Sequence, residues 1–112
     1  MQENVIGDVK EYAFAIYLKG SKIIGYSCLS VGGMASTLLD SRLIFAEAFL
    51  ISASSFIIVH NHPSGADTPS EADKSITKKL YQSGVILGIT LLDSIIYSGG
   101  DSFYSFADNG AL

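Results

Sequence analysis

The sequence is poor in cysteine and in charged residues, and each shortage excludes a class of protein. Its single cysteine, Cys28, has no partner for an internal disulfide, and a cysteine-rich metal site is excluded for the same reason. We expect Cys28 to be a small core residue in a reducing compartment. Only 16% of the 112 residues are charged whereas 48% are hydrophobic, which is typical of a globular chain and not of a disordered one.

The shortage of charge also bears on partners. A surface with so few charges leaves apolar area to cover, so either a homo-oligomer or a missing companion domain is a reasonable expectation. Seven lysines and arginines against eleven aspartates and glutamates give a net charge of −4. Because phosphate neutralisation requires a basic face, DNA binding by this chain alone is disfavoured.

Long hydrophobic runs are missing as well. Residues 1–12 lack the apolar core that a signal peptide needs. The most apolar stretch, Leu43 to Val59, carries Glu47 and several serines, and it is too short and too polar to span a bilayer. The sequence therefore predicts a cytoplasmic protein without a membrane partner. Its length is that of one domain, residues 1–112, with a core over about residues 11–106.

Hydrophobic patterning predicts an α/β fold in which helices pack on a mixed β-sheet. A hairpin is expected first, followed by a central strand covered on both faces, a long or broken strand, and a last short strand. The predicted strands are Glu11–Leu18, Ile23–Val31, Ser55–His60, Val85–Tyr97 and 102–106.

Two helices are predicted between these strands. The first spans about residues 41–53, after an N-cap at Asp40 or Ser41. Its apolar face is expected to consist of Leu43, Ala46, Phe49, Leu50 and Ala53. The second helix begins at Ser70 and is expected to close at Gly84.

Both histidines of the chain lie close together, His60 at the end of an apolar strand and His62 two residues later. In extended backbone, side chains two residues apart point to the same side, so the two imidazoles can hold one ion. Asp73 follows in the first turn of the next helix, and open α/β sheets usually bind ligands where a strand ends and a helix begins. Three such ligands leave the fourth position of a tetrahedral zinc ion open to water, which is the catalytic arrangement.

Each polar residue of this region also has an ordinary structural interpretation. The histidines could belong to a polar turn, and Asp73 could be an acidic residue favoured by the helix dipole. Ser70 and Asp73 have the spacing of a capping box, so the Ser70 hydroxyl could cap the helix, support an oxyanion, or do both. Asn61 and Ser64 could contact a substrate, although turn chemistry explains both. Asp93 is expected to be a hydrogen-bonded buried carboxylate rather than a second metal ligand.

The pattern resembles that of a known enzyme superfamily. His60-Asn61-His62-Pro63, followed by Ser70 and Asp73, is similar to the H-x-H-P…S-x-x-D signature of the JAMM (JAB/MPN+) metalloproteases, spacing included. The longer run HNHPSGADTPSEAD and the later GITLLD resemble the bacterial RadC-like branch. The resemblance implies a cytidine-deaminase-like fold, a zinc ion held by His60, His62 and Asp73, and an oxyanion supported by Ser70.

The resemblance also implies a general base and a reaction. These families use a glutamate on an N-terminal element, which corresponds to Glu11, and the competing candidate is Glu47 in the first helix. A zinc-dependent peptidase or isopeptidase with an unidentified peptide or protein substrate is implied, together with a DNA-repair association. The alternative is a metal-stabilised interaction or DNA-repair accessory module without hydrolytic activity.

The chain departs from the RadC-like branch in two places. It carries Ser94 where the branch usually has a histidine after Leu-Leu-Asp, which puts any role of that histidine in doubt. It also lacks the N-terminal helical region of full-length RadC-like proteins, so we expect either a fragment or a short relative. A nucleobase deaminase would share the fold, but its H-x-E…P-C-x-x-C pattern requires cysteines that this chain does not have.

Overall fold

The computed structural model describes residues 11–31, 40–62, 68–99 and 102–112, so Ser64 lies outside the described residues. Within these ranges, five strands form one sheet and two helices accompany it, as the sequence predicted. The elements are β1 (Tyr12–Lys19), β2 (Lys22–Val31), α1 (Ser41–Leu50), β3 (Ser55–Asn61), α2 (Glu71–Leu87), β4 (Thr90–Gly99) and β5 (Ser102–Ser105). Neither α1 nor α2 is both long and apolar enough to cross a bilayer.

The sheet is mixed and has β3 at its centre. The strand order is β2-β1-β3-β4-β5. β3 and β4 run parallel, whereas the other neighbouring strands pair antiparallel. Parallel neighbours need a crossover connection, and α2 lies in the crossover between β3 and β4. This connection brings the beginning of α2 to the carboxyl end of β3, where the two histidines lie.

Both described helices pack on the same face of the sheet. Phe45 of α1 meets Phe56 of β3 edge to face, with ring centroids 5.4 Å apart. Leu80 of α2 is 1% exposed and belongs to the same hydrophobic cluster. The other buried members of this cluster are Ala13, Ala15, Tyr17, Ile44, Ala48, Ala53, Ile58, Ile89 and Leu91.

The opposite face of the sheet carries apolar side chains that the described helices do not cover. Ile57 and Val59 alternate with the buried residues of β3 and are only half-buried. Tyr26 and Cys28 of β2 lie on this second face, and both are exposed. The described helices therefore cover β3 on one face, and the predicted coverage of its other face is not found among the described residues. The prediction that Cys28 is a core residue is wrong, because its strand lies at the edge of the sheet and Cys28 points away from the helices.

α1 begins where the sequence predicted, but a different set of its side chains is buried. Asp40 is the N-cap, and its Oδ1 accepts a hydrogen bond from the Arg42 backbone N–H at 2.9 Å. The buried residues are Ile44, Phe45 and Ala48, whereas Leu43, Phe49 and Leu50 are exposed. Since SRLIFAEAFL is apolar on almost every side of a helix, two neighbouring stripes fit the helical period, and the sequence favoured the wrong one.

α2 is longer than predicted, and its predicted closure at Gly84 is wrong. The helix continues to Leu87 and is capped by Gly88, whose φ of 77° is left-handed. Residues 85–87, predicted as the beginning of a strand, form its last turn, and β4 starts at Thr90. Gly84 is needed for a different reason, because a Cβ atom there would collide with the backbone carbonyl oxygen of Ile89.

Candidate metal centre

The two histidines lie at the carboxyl end of the central strand. His60 is opposite Ala13 of β1, so its side chain points toward the face that the helices cover. His62 follows the last residue of β3, and its backbone N–H donates to the carbonyl oxygen of Tyr97 at 2.9 Å. This hydrogen bond extends the pairing with β4 beyond the end of the strand. The backbone of both histidines is therefore fixed by the sheet.

Asp73 meets both imidazoles from the first turn of α2. The Nε2 atom of His60 lies 3.3 Å from Asp73 Oδ1, and the Nε2 atom of His62 lies 3.1 Å from Asp73 Oδ2. One donor atom from each of the three residues can be chosen so that all lie within 4.8 Å of one another. His60 and Asp73 are 3% and 1% exposed, so the group is almost closed to solvent. The structure thus brings together all three residues that the sequence singled out as ligands.

The donor set and its spacing fit a zinc ion. Imidazole nitrogens and a carboxylate oxygen are zinc ligands, and two ligands at about 2.1 Å in tetrahedral geometry lie about 3.4 Å apart. The His60–Asp73 and His62–Asp73 separations of 3.3 Å and 3.1 Å, which involve the two different carboxylate oxygens, are close to this value, and one donor atom from each residue lies within 4.8 Å of the others.

The lack of hydrogen-bond partners for His60 within the described part of the chain is also consistent with a bound metal ion. Among the described residues, neither ring nitrogen of His60 has a hydrogen-bond partner, although both are buried. The approach of its Nε2 to Asp73 is an ion-pair distance that lacks hydrogen-bond alignment. Leaving a buried polar atom without a partner costs about 1–3 kcal/mol, so a ligand that uses a nitrogen lone pair would relieve a real penalty.

Asp73 is held by the capping box that the sequence predicted. The Ser70 Oγ accepts a hydrogen bond from the Asp73 N–H at 3.0 Å, and Asp73 Oδ2 accepts one from the Ser70 N–H at 2.8 Å. Burial alone would raise the pKa of the Asp73 carboxyl, but His60 and the Ser70 N–H outweigh it and lower this pKa to about 2. The site is therefore built around a charged carboxylate. The capping role of Ser70 is confirmed.

Glu11 directly precedes β1, on the side of the sheet where the histidines lie. Continuing the pairing of Ala13 with His60 by two residues places Glu11 opposite His62. The Tyr12 N–H donates to Asn61 Oδ1 at 2.6 Å, which ties the beginning of β1 to the end of β3. Because alternate strand residues share a face, Glu11 shares the face of His60. Glu11 is half-buried there.

Glu47 lies elsewhere on the molecule. Burial raises the pKa of the Tyr17 hydroxyl, and the nearby charge of Glu47 adds to this rise. Tyr17 is four residues along β1 from Ala13, which corresponds to about 13 Å of strand. Glu47 is exposed on α1 and does not belong to the group formed by His60, His62 and Asp73.

The remaining sequence candidates have structural partners. Asn61 accepts the hydrogen bond from the Tyr12 N–H described above. Asp93 accepts from the N–H groups of Ser94 and Ala107 and from the Ser105 hydroxyl, at 2.7, 2.9 and 2.6 Å. The hydrogen bonding expected of Asp93 is confirmed, although the residue is half-buried rather than buried, and Asp93 is outside the group that could hold a metal. It fastens the C-terminal turn to β4.

A pair of hydroxyl groups near the site was not predicted. Thr77, one helical turn after Asp73, donates to Ser94 Oγ at 3.3 Å, and both residues are buried. Ser94 is the position at which the RadC-like branch usually carries histidine. In this chain Ser94 links β4 to α2 through Thr77. The four-residue spacing of Asp73 and Thr77, which places both on one side of a helix, is the sequence signal that could have indicated that Thr77 lies near the site.

Comparison with known sequences agrees with this geometry. A sequence model of the RadC-like JAB domain matches residues 1–111. A UPF0758 protein of Chlorobaculum parvum is 42% identical over 113 residues, which include 100% of this chain and 50% of the relative. A UPF0758 protein of Flavobacterium johnsoniae is 40% identical over 98% of this chain and 48% of its own length. The UPF0758 protein YsxA of Bacillus subtilis is 38% identical over 92% of this chain and 45% of its own length.

The chain therefore spans about half the length of these curated relatives. The match to the family model covers nearly every residue, and it includes the two histidines and Asp73. The fold, a five-stranded mixed sheet with both described helices on one face, is consistent with a JAB/MPN domain. The chain belongs to the RadC family, as a RadC-like JAB domain.

Proposed function

We propose that this domain is a zinc-dependent hydrolase, a JAMM-type peptidase or isopeptidase whose metal ligands are His60, His62 and Asp73. The observation that carries the proposal is the convergence of these three residues in a nearly closed site, with both nitrogens of His60 buried and without a hydrogen-bond partner among the described residues. Two histidines and one carboxylate are a donor set typical of catalytic rather than structural zinc.

Zinc, Glu11 and Ser70 have separate roles in the proposed hydrolysis. When bound, zinc supplies a Lewis acid that acidifies water and polarises a carbonyl group. Glu11 accepts a proton from the attacking water and delivers it to the leaving amine, which its place beside the histidine strand supports. Ser70 uses its oxygen to accept the Asp73 N–H, so its own O–H stays available to donate to the oxyanion.

Metal content is the first test of the site. We expect about one zinc ion per purified chain, measured by plasma mass spectrometry, and loss of that zinc in a His60→Ala/His62→Ala double variant. Wild-type protein that stays free of metal after reconstitution with excess zinc would contradict the proposed site.

Catalysis requires a separate test, because zinc binding alone does not establish a reaction. A library of proteome-derived peptides is incubated with the zinc-loaded protein, and new peptide termini are counted by mass spectrometry. Glu11→Gln should lower the rate of cleavage by about 100-fold or more while the zinc content stays unchanged. The matched control is Glu47→Gln, the same chemical change at the exposed glutamate of α1, which should keep wild-type activity. Full activity of zinc-loaded Glu11→Gln would refute the assigned base.

The proposed DNA-repair association comes from the RadC-like resemblance. The net charge of −4 argues against tight binding of nucleic acid by this chain alone. Filter binding of duplex DNA across a salt series tests this, since contacts with phosphates give a steep dependence of affinity on salt. Zinc without hydrolysis, combined with such a dependence, would favour an accessory module instead of a hydrolase.

A further inference from the structure

A cavity of about 470 Å³ lies beside α2 and is not part of the metal site. It is bounded by one side of α2, by Tyr104 and Phe106, and by residues 111–112. Pro69 and Lys74 form another part of its wall. Because these two residues are the chain neighbours of Ser70 and Asp73, the cavity approaches the metal centre at the beginning of α2. We call it the α2 cavity.

The metal centre and the α2 cavity lie on different sides of α2. The buried stripe of α2 contains Asp73, Thr77, Leu80 and Gly84. The residues that face the α2 cavity, Lys74, Lys78 and Tyr81, are each displaced from this stripe by one residue, which is a rotation of about 100°. From Lys74 to Tyr81 the helix rises about 10 Å, which is the length of about three residues of extended peptide.

One wall of the α2 cavity is positively charged. Lys74 Nζ lies 3.1 Å from Glu71 Oε2, and these side chains are 56% and 91% exposed. An ion pair so exposed contributes little and can exchange its partner for a ligand carboxylate. Lys78 follows one helical turn later on the same side. The chain as a whole has a net charge of −4. Lys74 and Lys78, one helical turn apart in the wall of the cavity, nevertheless form a local site that favours an anion.

The other walls are apolar and aromatic. Tyr104 and Phe106 meet edge to face with ring centroids 5.2 Å apart, and Phe106 is only 1% exposed. A ring packed in this way gives a rigid surface for an apolar side chain. Tyr81, which is 36% exposed, adds an aromatic side chain from the helix.

We propose that the α2 cavity binds an acidic segment of a polypeptide, with carboxylates on Lys74 and Lys78 and a neighbouring aromatic side chain against Tyr81 and Tyr104. This inference rests on the proposed function, because the bound segment would flank the bond that the metal site cleaves. It assigns a substrate class to that site, namely acidic peptides that contain aromatic residues.

Binding is tested without catalysis and without metal. The ¹⁵N-labelled chain is treated with a chelator and titrated with an unlabelled, terminally blocked peptide that contains Glu-Phe-Glu between glycines, and backbone amide shifts are followed by NMR. Shifts should concentrate around Lys78 and Tyr81. A Gln-Phe-Gln peptide and a Glu-Gly-Glu peptide should each bind about tenfold more weakly, because each lacks one half of the recognition.

A pair of lysine variants separates the cavity from general electrostatics. Lys78→Glu should weaken binding of the Glu-Phe-Glu peptide by about tenfold or more. The matched control is Lys79→Glu, an identical change at the next residue of α2, which is exposed and does not line the cavity. The control should bind like the wild type. Equal loss in both variants, or no saturable binding by the wild type, would overturn the proposal.

The same titration distinguishes this inference from the proposed hydrolase. The His60→Ala/His62→Ala variant should bind the peptide with wild-type affinity, because no metal ligand lines the α2 cavity. Peptide binding that disappears in this variant would contradict a separate subsite. Failure to detect hydrolysis leaves the binding result standing, and failure to bind the peptide leaves the zinc measurement standing.

Discussion

Asp73 lies in the first turn of α2, and its two carboxylate oxygens have different neighbours. Oδ2 accepts a hydrogen bond from the Ser70 N–H and lies near His62, whereas Oδ1 lies near His60. The helix beginning and the candidate metal site thus share one side chain. A change at this position affects the two in different ways, depending on whether charge or hydrogen bonding is removed.

Asp73→Asn removes the charge of the side chain and keeps an oxygen that can accept the Ser70 N–H. We expect zinc affinity, measured by competition with a chromogenic chelator, to fall by more than about 100-fold, since changes beyond the ligands already cost 10- to 100-fold. The free energy of unfolding in chelator, measured with urea, should also fall, because the capping box persists but the charge that His60 and the Ser70 N–H stabilise is lost.

Ser70→Ala is the matched change on the other side of the capping box. It removes the oxygen that accepts the Asp73 N–H, and it should lower the free energy of unfolding by about 1 kcal/mol. Its zinc affinity should fall by about tenfold, which is less than for Asp73→Asn, because the Ser70 backbone N–H that holds Asp73 Oδ2 is kept. Retention of zinc by Asp73→Asn would show that Asp73 is not a ligand, whatever the result for Ser70→Ala.

At the residue scale, the sequence singled out three residues that the structure brings together, but it did not predict the long-range partner of Asn61. His60, His62 and Asp73 could be found from the sequence because two histidines, a loop and a capped helix rarely coincide. Asn61 looked like a turn residue or a substrate contact, whereas its Oδ1 accepts the backbone N–H of Tyr12. That pairing joins residues 49 positions apart, so no local pattern could indicate it.

At the scale of the elements, strands were easier to predict than helix faces and ends. Four of the five predicted strands agree with the structure to within one residue, because alternation and short apolar runs between turn residues are specific signals. The predicted start of the fourth strand at Val85, in contrast, lies in α2. The apolar face of α1 could not be chosen, since Leu43 and Ile44 are equally hydrophobic neighbours. The end of α2 could not be chosen because Gly84 and Gly88 both suit a helix terminus, and only the path of β4 decides between them.

Gly84 gives a test of that packing. Alanine within a helix is normally more favourable than glycine, but a Cβ atom at Gly84 would collide with the Ile89 carbonyl oxygen, a backbone atom that cannot rotate away. We expect Gly84→Ala to lower the free energy of unfolding by about 2 kcal/mol. Urea denaturation followed by circular dichroism measures the change.

The control for Gly84→Ala is Ser75→Ala, which places alanine on the exposed side of the same helix. This variant should be as stable as the wild type or slightly more stable, because alanine has the higher helix propensity. A Gly84→Ala protein that matches the wild type in stability would mean that α2 and β4 are less closely packed than described.

At the scale of the whole molecule, the two faces of the sheet differ. One face is covered by α1 and α2 and leads to the candidate metal centre at its edge. The other has a groove of about 370 Å³ whose lining is entirely apolar. Its lining residues are Phe14, Ile16, Ile23, Tyr26 and Val59. The composition predicted apolar surface in need of cover, and this face is one of the places where the described residues leave it; α1 and the end of α2 also expose apolar side chains.

We expect a second copy of the chain to cover this groove, because an uncharged apolar surface is complementary to itself and symmetric dimers are the commonest assemblies. Light scattering after gel filtration should give about twice the 11.9 kDa mass of one chain.

Tyr26→Lys places a charge in the groove and should yield the single-chain mass. Phe49→Lys, at an exposed aromatic residue of α1 away from the groove, should leave the dimer intact. A wild-type protein with the mass of one chain at high concentration would contradict the dimer and favour the other prediction from the composition, a companion domain on the same face.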